Sequence, residues 1–287
     1  MIVITPRRRA EQLRIECNDQ DAQEILADAI DKLPGFYAPQ DIPAADRRLP
    51  VGIASLAIGD REFARALFRH LAAEEYLLFV ARYFLWSGMD HVLREELPRI
   101  DGELKQILPF AELHELAIAL ESIGAGAESS AVRARAAQAQ RRILPDWDAH
   151  DCEELPAASP ADTVNVFVHA LLGIAPDAPR GRLRLRPCLP TWIDSLAVSN
   201  IHMADALVEL RYTRGDNEQN YTIEQVAGAM PVRLIFEPTF DRPVTAASVD
   251  GVAADLNVQP HGNRIIAPVQ IMLDNRREIR FEANVTE

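Results

Sequence analysis

Up to about residue 178 the apolar positions recur at helical spacing; beyond it they alternate. Ile25, Leu26, Ala29, Ile30 and Leu33 form the stripe of a helix predicted over 8–33. Residues 34–50 carry Pro34, Gly35, Pro39, Pro43 and Pro50 and read as a loop. From Val51 the helices come in pairs. One over 51–58 stops at Gly59, and Asp60 is placed to cap the next, whose Phe63, Leu67, Phe68 and Leu71 share a face. Glu74–Trp86 is apolar almost all round, which predicts burial on most sides. Ser87-Gly88 ends it, and Asp90 is placed to cap a more polar helix over 91–106. The pattern returns as an apolar helix over 108–123 and a charged, alanine-rich one from Ser129 to about Ile143. Repeated pairs of this kind predict antiparallel hairpins with an apolar inner and a charged outer layer. That is an α/α toroid, or part of one.

The period changes within one segment. An apolar helix over Val164–Ile174 enters the elbow Ala175-Pro-Asp-Ala-Pro179, after which Leu183 and Leu185 alternate with Arg182, Arg184 and Arg186. Strands are predicted over 206–213, 221–226, 232–238, 244–249, 265–271 and 278–283, separated by turn residues. Asp250-Gly251 carries the signature of a type I′ hairpin. The fold class is therefore α then β: a helical α/α-hairpin domain over 1–178 and an antiparallel β-sandwich over 179–287.

Composition narrows the function classes. A net charge of −13 argues against a nucleic-acid partner, which needs clustered Lys and Arg. Residues 181–287 hold 11 Lys and Arg against 14 Asp and Glu, a net of −3, so the helical part carries −10. No apolar run is long enough to span a membrane, and Ile2–Ile4 before three arginines is no signal peptide, so no membrane partner and a cytoplasmic location are expected. Cys17, Cys152 and Cys188 make no zinc spacing and read as reduced thiols; no metal and no cofactor are expected. Phosphate-binding, dinucleotide-binding and α/β-hydrolase motifs are absent.

The stretch VHALLGIAPDAPRGRLRLRPCLPTWIDSLAVSNIHMADALVELRY (168–212) resembles the end of six-hairpin glycosidases, specifically bacterial debranching (amylo-1,6-glucosidase-like) and α-L-rhamnosidase-like enzymes. The shared features are a Leu-Gly-Ile turn, the proline elbow, and Arg-rich strands with the phrase Leu189-Pro-Thr-Trp192. GAMPVRLIFEP (228–238) and VDGVAADL (249–256) also look like those C-terminal sandwiches. The paired helices from Ala54 to Leu104 resemble two barrel segments, and the resemblance implies an abbreviated barrel.

It also implies a glycoside or oligosaccharide ligand. Hydrolysis of an O-glycosidic bond uses two carboxyl groups, about 5–5.5 Å apart for retention or 6.5–9.5 Å for inversion. An inverting mechanism would draw one group from Glu74 or Glu75, at an inner-helix start that faces the sugar in the resembling enzymes. The other would come from Asp148, Asp151, Glu153 or Glu154 in the acidic loop 146–154. Trp86, Trp147 and His150 are the candidate sugar-binding groups. Each has a plainer reading: Glu74 and Glu75 complement the helix macrodipole, the acidic loop is a solvated connector, and His169 is a core histidine. The alternative function is a non-catalytic sugar-binding or assembly subunit. Apolar helices left uncovered by a short barrel predict a homodimer or a partner subunit over 74–86 and 108–123.

Overall fold

The computed structural model describes residues 12–35, 44–144 and 159–283. The first described element is a strand, β1 (Arg14–Cys17), within the range 8–33 where one helix was expected. Leu13 and Ile15 are buried between exposed Arg14 and Glu16, so a period of two prevails there. Helix α1 (Gln20–Gly35) follows, its start fixed by Asp19, which accepts from the Ala22 N–H at 2.8 Å.

The helical layer continues as α2 (Arg48–Ala57), α3 (Arg61–Ala66), α4 (Ala73–Ser87), α5 (Asp90–Leu104), α6 (Leu113–Ser122), α7 (Gly126–Ala136) and α8 (Pro160–Asn165). Helix α8 runs on into a π-helical turn over Val166–Leu171. α4 packs between α2 and α6, and α2 also meets α8. α5 covers α4, and α7 covers α6. Burial follows the expected alternation: α4 buries Tyr76–Ala81 and Tyr83–Ser87, whereas α5 buries only Val92, Leu93 and Ile100. α4 and α6 thus bury most of their apolar side chains against the chain's own elements.

Local chemistry explains the boundaries. Asp60 caps α3 as expected, accepting from Phe63 N–H at 3.1 Å. Asp90 does not cap α5; Met89 holds that place. Pro109 biases Leu108 out of helical geometry, so α6 starts at Leu113 rather than 108, and Leu108 is 70% exposed.

The rest of the chain forms β2 (Ala175–Asp177), β3 (Arg182–Leu185), β4 (Ser195–Met203), β5 (Ala206–Arg214), β6 (Glu218–Ala227) and β7 (Val232–Phe236). Then come β8 (Thr239–Phe240), β9 (Val244–Val249), β10 (Val252–Ala253), β11 (Gln259–His261), β12 (Arg264–Ile266), β13 (Val269–Leu273) and β14 (Arg276–Ala283). A seven-stranded sheet has the order β1-β4-β5-β6-β14-β9-β10, a four-stranded one β13-β7-β3-β2, and a three-stranded one β11-β12-β8. Among the described pairs only β3 and β7 run parallel. Asp250 and Gly251 both take positive φ, 51° and 78°, as the expected turn requires. The single strand expected over 265–271 divides at Ala267-Pro268 into β12 and β13. Cys17 is a thiol, but Cys188 is disulfide-bonded, which corrects the expectation of three reduced cysteines.

One apolar core runs through the helices and the two larger sheets. The junction between them is sewn by the backbone. Arg186 N–H donates to Leu172 O at 3.1 Å, and Cys188 N–H donates to Leu171 O at 2.7 Å, so the strand end lies against the helix end. Gly173 makes this approach possible: its φ is +58°, and a Cβ there would stand 2.6 Å from Arg186 O. Gly173→Ala is expected to cost about 1–3 kcal/mol, from overlap with backbone and a disfavoured φ. Urea unfolding measures it; a loss below 0.5 kcal/mol would mean that the junction is loose.

Candidate functional site

A cavity of about 500 Å³ lies at this junction. Its walls are the second half of α4, the first turns of α6, the end of the π-helical turn, and the pair β2–β3. The volume falls in the range of small-molecule sites.

Each wall contributes polar chemistry for a local reason. Beyond its first turn, α4 has one charged residue, Arg82, and the helix is otherwise apolar. Arg82 donates from Nε and Nη2 to the two oxygens of Glu115 on α6, both at 2.9 Å. The two side chains are only 14% and 15% exposed, so this bidentate pair sits in a largely water-excluded wall. Glu112, one turn earlier and 2% exposed, accepts from the backbone N–H groups of Ile143 (3.2 Å) and Leu144 (3.1 Å). It ties the segment after α7 to the start of α6.

On the sheet side, Leu183 and Leu185 point into the core, and the pleat turns Arg182, Arg184 and Arg186 the other way, toward the cavity. Arg182 donates through Nε to Asp177 at 3.1 Å, and Arg180 joins the same carboxylate oxygen at 3.3 Å. The other oxygen of Asp177 is buried, with no hydrogen-bond partner among the described residues. Arg186 bonds Glu237 at 2.9 Å. Arg184 is exposed, with no hydrogen bond or ion pair to its side chain among the described residues.

Two rings complete the lining. Trp86 is 5% exposed and meets His169 edge-on, with centroids 6.3 Å apart. Burial, with the Arg82 charge adding to it, holds the His169 imidazole down at about 3.

The sequence-derived candidates divide three ways. Trp86 borders the cavity. Glu74 is held by Arg141 at 3.0 Å, beside Leu108 O, and Glu75 accepts from Ala72 N–H at 3.4 Å with its carboxyl pushed up by burial. Neither borders the cavity. Trp147, Asp148, His150, Asp151, Glu153 and Glu154 lie outside the described residues. Sequence reading missed Arg82, Glu112, Glu115, Asp177 and Arg184 as wall residues. Two signals pointed to them: a lone cation in an apolar helix, and three arginines on one strand face. Among the described residues no cluster of three or more His, Cys, Asp or Glu is placed to hold a metal ion.

No family model and no curated protein matches the chain. Among solved structures it is similar to the crystal structure of Ara127N-Se, a GH127 β-L-arabinofuranosidase from Geobacillus stearothermophilus T6. The identity is 8% and the TM-score 0.30, over 73% of this chain and 41% of that one. The chain therefore spans less than half the length of that protein. No described helix is long and apolar enough to cross a membrane.

Proposed function

We propose that this is a carbohydrate-active protein of the glycoside-hydrolase type that binds its saccharide in the cavity between α4, α6 and β2–β3. The observation that carries the reading is the cavity's lining, where an indole edge, guanidinium groups and carboxylates surround a space of about 500 Å³. Sugars are recognised by that combination: an aromatic surface for C–H faces, and fixed donors and acceptors for hydroxyls. The sequence resemblance over 163–256 supports the same class, as does the alternation of buried and exposed helices. In this reading the helices within residues 1–178 form a partial α/α toroid, and 179–287, joined by β1 and β2, a β-sandwich cap.

Binding without hydrolysis fits Glu112 and Glu115 best. Glu115 commits both oxygens to Arg82, and Glu112 both to backbone N–H groups. Neither is disposed to hand a proton to a glycosidic oxygen. The expected result of a thermal-shift screen of mono- and oligosaccharides is at least one ligand that raises the melting temperature. At 100 times its dissociation constant it would add about 2.7 kcal/mol. Trp86→Phe, which keeps an aromatic body in place, should weaken that ligand three- to tenfold, about 0.7–1.4 kcal/mol. A screen without any shift would overturn the proposal. Aryl-glycoside turnover abolished by Asp148→Asn, Asp151→Asn, Glu153→Gln or Glu154→Gln would replace binding by hydrolysis.

A further inference from the structure

The cavity's charge runs against that of the chain. The protein carries −13 overall, yet five arginines line this space against three carboxylates, Glu112, Glu115 and Asp177. Most of these charges are matched locally: Arg82 by Glu115, Arg182 by Asp177, and Arg186 by Glu237 from outside the lining. Arg184 is the exception. It sits in the middle of β3, between Ala175 of β2 and Ile235 of β7 in register, with Arg182 and Arg186 two residues away on the same face. An arginine with no acidic partner among the described residues, flanked by two more, presents a fork of N–H donors suited to a planar or tetrahedral oxyanion.

We propose that the cavity takes a saccharide bearing an oxyacid group, a carboxylate or a phosphate, and that Arg184 recognises that group. This rests on the saccharide reading above and adds the charge of the ligand to it. Among the described residues the carboxylates around Arg184 are engaged by other arginines or by backbone, and in this proposal the anion that faces Arg184 comes from the ligand. Neutral sugars lack it and leave the guanidinium to water.

The test is isothermal titration of the intact protein with four probes: galacturonate, glucose 6-phosphate, glucose and inorganic phosphate. The expected result is binding of one charged sugar at least tenfold tighter than glucose, with the uronate and phosphosugar arms identifying which oxyacid is preferred. Arg184→Ala should reduce that ratio to near one. Its side chain is exposed, so the variant should melt with the wild type. Arg211→Ala, on an exposed arginine outside the cavity, should keep the full ratio. Equal affinity for charged and neutral sugars would overturn this inference while leaving the saccharide site standing. Binding of no sugar at all would overturn both. Inorganic phosphate matching glucose 6-phosphate would overturn it too, because the site would then read the anion alone.

Discussion

Phe79→Ala is expected to destabilise the protein by about 3–5 kcal/mol. The Phe79 ring is 0% exposed, in the middle of α4, and meets Phe68 edge-on at 5.8 Å. It also presses on the backbone of α2: a Cβ at Gly52 would stand 2.7 Å from the ring. Phe79 and Gly52 therefore form one packing unit that sets the spacing of α2 and α4. Gly52→Ala alone should cost about 1–3 kcal/mol by overpacking. With Phe79→Ala the added methyl instead enters the space the ring vacates. The double variant should then be more stable than the sum of the single losses by at least 1 kcal/mol. Chemical denaturation of the four proteins gives the coupling directly; additive losses would show that the two helices do not depend on this contact.

The second large effect is a pH dependence centred on His169. Desolvation, reinforced by Arg82, holds its folded-state pKa at about 3, against the ordinary 6.5. As pH falls below 6.5 the unfolded chain takes up the proton first, which draws the equilibrium toward unfolding. The contribution is intact above pH 6.5 and declines continuously until the folded protein also protonates near 3. At about 1.4 kcal/mol per pH unit, the loss reaches about 2 kcal/mol by pH 5. His169→Gln removes the titrating group. Whatever its stability at pH 8, the difference between it and the wild type should shrink, or change sign in its favour, by about 2 kcal/mol between pH 7 and 5. Parallel stability curves for the two proteins would show that the ring is solvated through the cavity.

These effects also mark what was legible in the chain. The helix α4 was readable because Tyr76 to Trp86 is apolar almost all round, and the change of period at Leu183 and Leu185 marked β3, although β1 and β2 come before it. Strand β4 was not. Asn200 takes a φ of +63° in a bulge between Val198 and Ile201, which breaks the alternation of its side chains. β1 was hidden in another way: four residues beside a long amphipathic helix, completed only by pairing with β4 far along the chain. The site shows the same division. Trp86 was readable at a helix end, whereas Glu112, Glu115 and Asp177 become wall residues only once α6 and the proline elbow meet across the junction. Glu74 and Glu75 show the reverse: acidic residues at a helix start, with a resemblance behind them, that the fold turns toward Arg141 and the Ala72 backbone.

Amide hydrogen exchange with and without the saccharide that gives the largest thermal shift tests most directly whether the helix–sheet junction is the binding site. Slowed exchange is expected in Arg82–Trp86, Glu112–Ile118 and His169–Arg186, the segments that line the cavity. Protection confined to the face of the seven-stranded sheet around Thr222 and Arg280, where a second hollow lies, would contradict that placement.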